Sequence, residues 1–120
     1  MKINSQILCK VAGVTFEGRQ EIINLMVGNE VAMLIPEPDN KYDPNAIAVW
    51  IAFPPESGYE KAQIGYLPKQ VAEQVAPMLD GEKTQCKVDE ITGGFEMWDG
   101  ENANYGVVLS IELPEMLSND

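Results

Sequence analysis

Lys41, Tyr42 and Asp43 stand side by side near the middle of the stretch PEPDNKYDPNAIAVW, Pro36 to Trp50. They place a cation, a stacking ring and a hydrogen-bond acceptor next to one another. The surrounding Pro, Asp and Asn residues predict a turn by mechanism, because Pro fixes φ and Asp or Asn side chains bond their own backbone. A plain turn has no need of an aromatic between a lysine and an aspartate. Binding residues concentrate on loops held by a rigid scaffold, so this tip is read as a binding element.

The scaffold must come from the flanking runs, Val31–Ile35 and Ala46–Phe53. In the second, Ile47, Val49, Ile51 and Phe53 alternate with Ala46, Ala48, Trp50 and Ala52, which predicts a strand with one apolar face and a closely covered second face. Ile7–Val14 predicts a first strand with Ile7, Cys9 and Val11 on one side. Ile22, Ile23 and Met26 recur at helical spacing over Arg19–Met26, which Gly28 ends. Ala62–Tyr66 is a short strand. Pro68 starts a helix in which Val71, Val75 and Leu79 share a face with Ala72 and Ala76, while Pro77 and Gly81 limit its length. Lys83–Ile91 and Tyr105–Leu113 alternate, and Gly93–Asn104 between them is a long turn carrying Phe95 and Trp98. Six strands with two inserted helices predict a mainly β fold, a small and partly open six-stranded barrel. No linker divides the 120 residues, so one domain with a core of about 7–113 is expected.

Charge bears on the partner. The net charge is −11, whereas a nucleic-acid binder ordinarily shows a basic face. The charge is uneven: six basic residues meet nine acids up to position 79, and two meet ten from position 80 onward. A small cationic site on an acidic body is compatible with this balance; sequence-independent coating of duplex DNA is not.

Several chemistries are excluded by composition. There is no histidine, which removes His-based triads and His-containing zinc sites. Asp39, Lys41, Asp43 and Asn45 imitate the alternating spacing of a calcium loop, but a lysine stands at a ligand position and Pro44 where glycine is needed. Neither metal, cofactor nor catalytic activity is expected. Cys9 and Cys86 read as buried thiols in a reducing compartment. No segment has the length of a membrane helix, and MKINSQILCK lacks the apolar core of a signal peptide, so a cytoplasmic location is expected.

Three segments in order, VAGVTFEGRQE (Val11–Glu21), EPDNKYDPNAIAV (Glu37–Val49) and IGYLPK (Ile64–Lys69), resemble the motifs of the HIRAN domain family. The resemblance spans Ile7 to Leu113 and is closest to the free-standing bacterial or phage members. It implies an OB-like barrel, and a function in holding single-stranded DNA ends during DNA repair or processing. Aromatics matching Phe16 and Tyr42 clamp the terminal base in the members that hold such ends, and the residue matching Asp43 contacts the free 3′-hydroxyl. Thr15 departs from the basic residue that those members carry before the first aromatic.

Each candidate also has a plainer structural reading. Phe16 suits a core ring as well as an exposed one, whereas Tyr42, with no apolar neighbour within two positions, reads as exposed. Asp43 and Asn40 are natural turn caps. Lys69 at a helix start is either an anion holder or a solvated lysine. Arg19 and Lys41 are candidate phosphate contacts, and Tyr66 is a cleft wall or a core ring. The competing function is an acidic protein-interaction module that meets a basic partner, or imitates nucleic acid to occupy a DNA-processing enzyme.

Overall fold

The computed structural model describes residues 5–58 and 60–113. Period-two alternation produces six strands: β1 (Ser5–Lys10), β2 (Val31–Pro36), β3 (Ile47–Ile51), β4 (Ala62–Tyr66), β5 (Thr84–Thr92) and β6 (Gly106–Leu113). They form one antiparallel sheet in the order β1-β6-β5-β2-β3-β4. Register shifts interrupt β3–β4 between Val49 and Trp50, and β5–β6 between Val88 and Glu90. Such bulges bend and twist a sheet.

The curl brings the two ends of the sheet together. Just past β1, Val11 N–H donates to Val107 O at 2.9 Å. Ala12 and Tyr66 then exchange both backbone hydrogen bonds, at 2.8 and 2.9 Å. The result is a mainly β, partly closed barrel with two helices, as the alternation implied. Gly65 makes the closure sterically available: a Cβ there would lie 2.2 Å from Ala12 O and 2.6 Å from Val11 Cγ1.

The concave face is the core. Leu34, Ile47, Val49, Ile51, Ile64, Val107 and Leu109 are wholly buried on it. Ala48, on the opposite face of β3, is buried as well, while Ala46 is half-buried and Ala52 exposed, so that face is covered at its centre and open at its end.

The helices α1 (Arg19–Ile23) and α2 (Lys69–Leu79) add Ile23, Ala72 and Val75 to the core. On α2 the face centred on Val75 is buried, with Val71 and Leu79 half-buried at its ends and Glu73 in solvent. Helix α1 is shorter than the periodicity predicts. Beyond Ile23 the bonds Leu25 N–H to Ile22 O and Met26 N–H to Ile23 O skip three residues rather than four, a tightened last turn. Met26 stays buried because that turn keeps it on the same side.

The segment 93–104 is an ordered hairpin extension rather than an open turn. Glu96 bridges Asn102, and Gly94 N–H and Ala103 N–H donate to Ala103 O and Phe95 O, each at 2.8 Å. Trp98 at its tip is 98% exposed. Among the described residues no helix is long and apolar enough to cross a membrane.

Candidate functional site

The loop between β2 and β3 is closed at its neck by Glu37 N–H donating to Ala46 O at 2.8 Å. Its tip is shaped by side chains that replace backbone partners. Asn40 Oδ1 accepts from Tyr42 N–H at 2.9 Å and Asp43 N–H at 3.1 Å. Asp43 Oδ1 accepts from Asn45 N–H at 2.9 Å, while Ala46 N–H donates to Asp43 O at 3.0 Å. Both residues therefore act as turn caps, as their types foretell. The bends leave the Tyr42 ring 93% exposed and without packing support. Lys41 beside it is exposed and takes part in no ion pair among the described residues.

The second loop runs from Gly13 to Gly18, between the end of β1 and α1. Phe16 N–H donates to Gly13 O at 3.3 Å, and Arg19 N–H to Phe16 O at 3.0 Å. Glu17 and Gly18 both take left-handed backbone, at φ 57° and 74°. Glycine adopts it freely and glutamate at a cost, and strained residues of this kind gather at binding sites. The Phe16 ring is 65% exposed, so it is a surface ring and not a core anchor.

Between the loops lies a chain of polar contacts. The Arg19 guanidinium donates from Nη1 to Gly13 O at 2.8 Å, approaches Glu17 Oε2 at 3.5 Å, and lies over the Tyr66 ring at 5.8 Å. Tyr66 Oη donates to Glu37 Oε1 at 3.0 Å, and Asn40 Nδ2 donates to the same oxygen at 3.0 Å. The Phe16 loop and the Tyr42 loop, 26 positions apart, are thus joined through Arg19, Tyr66, Glu37 and Asn40. Tyr66 is half-buried, the wall between them.

Arg19 requires a revision of the sequence reading. It is only 7% exposed, and its guanidinium is spent on a carbonyl, a carboxylate and a ring. A cation so enclosed organises the loop and has little surface left for a phosphate. Of the predicted site cations, Lys41 and Lys69 are exposed, the latter at the first position of α2, three residues beyond Tyr66. No described contact ties Lys69 to the two loops.

Glu37 and Gln20 are structural members of the site that sequence reasoning missed. Glu37 stands between two prolines directly after β2, at the loop's neck, and that position is the sequence signal for its role. Cys9 and Cys86 lie in the core as free thiols. Burial raises the pKa of both, and burial followed by the neighbouring Cys9 pushes Cys86 up to about 12. Neither thiol is a nucleophile at neutral pH. Among the described residues no group of three or more potential ligands is placed to hold a metal ion.

Similarity to known proteins agrees with this architecture. The HIRAN domain of human HLTF superposes with a TM-score of 0.51 and 21% identity, covering 88% of this chain and 75% of that one. A Fanconi-associated nuclease 1 homolog of Oryza sativa subsp. japonica is 40% identical over 68 residues, which are 56% of this chain but only 6% of the nuclease. The HIRAN domain pattern itself matches residues 6–94, from β1 to the base of the hairpin extension, and the chain belongs to the HIRAN domain family.

Proposed function

We propose that this chain is a non-enzymatic, cytoplasmic binding module for single-stranded DNA ends, reading a free 3′-hydroxyl terminus in DNA repair or processing. The observation that carries the reading is the pair of exposed rings, Phe16 and Tyr42, each standing on a loop whose backbone is pinned by buried or half-buried polar groups. An exposed aromatic costs a protein solubility unless something stacks on it. A ring held by its backbone rather than by packing offers a free face to a base. Stacking of this kind contributes about 1–3 kcal/mol per base.

The remaining roles follow from what each group has left to offer. Asp43 uses Oδ1 for Asn45 N–H, and its second oxygen is available to accept from a sugar hydroxyl. Asn40, with both polar ends engaged, shapes the loop and does not itself contact a ligand. Tyr66 supplies the wall. Lys41 and Lys69 are the phosphate contacts, with Lys69 adding the exposed N–H groups at the start of α2. So few cations on an acidic body confine binding to a terminus and leave long backbone tracks unfavourable.

The test is an oligonucleotide titration comparing free 3′-hydroxyl, 3′-phosphate and duplex blunt ends at low and moderate salt. The 3′-phosphate should bind worse, because it brings like charge against Asp43, and Asp43→Ala should erase that preference. Tyr42→Ala should weaken every single strand by about 1–3 kcal/mol. Lys69→Ala should weaken all ends equally and lower the salt slope by about one unit. If no end binds at low salt, or all bind alike, the DNA-end reading fails.

A further inference from the structure

Gln20, the residue after Arg19 on α1, makes three hydrogen bonds that use its whole carboxamide. Nε2 donates to Val14 O at 2.9 Å and to Tyr105 O at 3.0 Å, and Oε1 accepts from Tyr105 N–H at 2.7 Å. Sheet pairing between β5 and β6 ends at Thr92 and Gly106, so the backbone groups of Tyr105 lie one residue past the ladder. Gln20 takes the place of a strand partner there, giving Tyr105 the donor and the acceptor that the sheet no longer supplies. The Tyr105 hydroxyl donates to Oδ1 of Asn24, the residue that caps the end of α1, so the base of the hairpin extension is fastened both to this helix and to its cap.

The same amide nitrogen of Gln20 reaches the Phe16 loop. Gly13 O is held by Arg19 and Val14 O by Gln20, so two consecutive side chains of α1 grip two consecutive carbonyls of the loop. Phe16 follows two residues later with an exposed ring. The ring is mostly exposed, so its position is set mainly by the backbone that carries it. We infer that Gln20 is the positioning residue for Phe16, locking the ring's loop to the first residue before β6. The inference rests on the reading of Phe16 as a stacking ring given above. Preorganisation of this kind raises affinity by removing the ordering cost from the binding step.

The variant that tests it is Gln20→Met, which keeps the length and loses all three bonds. Titrated with a fluorescent single-stranded oligonucleotide bearing a free 3′-hydroxyl, it should bind at least about fivefold more weakly than wild type, within the range of coupled neighbours. Phe16→Ala should lose at least as much, and the Gln20→Met/Phe16→Ala double variant should be no weaker than Phe16→Ala alone. A merely structural role would instead multiply the two losses. Amide hydrogen exchange gives an arm that does not depend on DNA: Gln20→Met should speed exchange at Phe16 and Tyr105 while leaving Leu34 unchanged. If wild-type protein binds no end, the DNA-end reading fails and the exchange arm still decides whether Gln20 holds the loop. Should Gln20→Met not fold, Gln20→Glu keeps the acceptor for Tyr105 N–H and loses both donated bonds, serving the same comparison. Multiplicative losses in the double variant, or unaltered exchange at Phe16, would overturn the assignment.

Discussion

Replacing Gly65 by alanine tests the closure on which the site is built. A Cβ at this position would fall 2.2 Å from Ala12 O and 2.6 Å from Val11 Cγ1. The first contact is with backbone, so no rotamer change relieves it, and the Ala12–Tyr66 bridge must open or both segments must shift. Opening forfeits two hydrogen bonds, now 2.8 and 2.9 Å long, each contributing about 1 kcal/mol net. Displacing the buried Val11 side chain and holding alanine in glycine's conformation add a similar amount. The total is about 3–4 kcal/mol, or a Tm lowered by roughly 10–15 °C for a domain of this size. Gly58 supplies the control: its φ of 80° is as unfavourable to alanine, but a Cβ there meets nothing within 4 Å, so Gly58→Ala should cost only about 1 kcal/mol. Urea unfolding followed by circular dichroism compares the two. Equal losses in both variants would refute steric closure at Gly65 and leave only the conformational cost.

Other outcomes follow from burial and chemistry. Val75→Asp should destabilise by about 3–5 kcal/mol, since it sets an unpaired charge in a fully buried position of α2; Glu73→Ala in solvent should stay within about 0.5 kcal/mol in the same melt. The raised pKa of Cys86 has a definite sign: above about pH 9 the unfolded thiol ionises while the folded one, at about 12, does not. Stability should therefore be unaffected by this group at neutral pH and fall through the window from about 9 to 12, by about 1 kcal/mol at pH ~10. A Cys86→Ala variant measured alongside should lack that component of the pH dependence. Protein dialysed against buffer should hold no stoichiometric zinc or calcium by elemental analysis, because histidine is absent and a lysine interrupts the carboxylate spacing of the loop.

The fold was legible where one physical rule dominated. Clean alternation gave the strands, and β4 begins at Ala62 and ends at Tyr66 as its composition implies. The four-residue recurrence of Val71, Val75 and Leu79 gave α2. In α1 the same rule overran, because apolar spacing reports which residues face the core and not whether the turn that brings them there is α or 3₁₀. Within the site, the exposure of Tyr42 and the capping by Asn40 and Asp43 were readable from local types. Arg19 was not. Its partners Gly13 and Glu17 are local, but only the assembled barrel brings the Tyr66 ring near, and a sequence displays a cation's sign without its surroundings. Glu37 escaped for the same reason: its donor, Tyr66 Oη, is 29 positions away.

The Ala12–Tyr66 seam has a bearing on when the site can exist. Tyr66 is at once half of the bridge that joins the sheet's two ends and the link between the Phe16 and Tyr42 loops. Residues just past β1 meet the end of β4 there, across the four strands that lie between them in sheet order, so the bridge is a non-local contact with a loop-closure cost of its own. A chain caught with the seam open would keep most of its sheet, yet its two rings would belong to separate, independently moving loops. The relative placement of the two rings is thereby conditional on a closed seam. Local opening of this seam would separate the two rings while leaving most of the sheet paired.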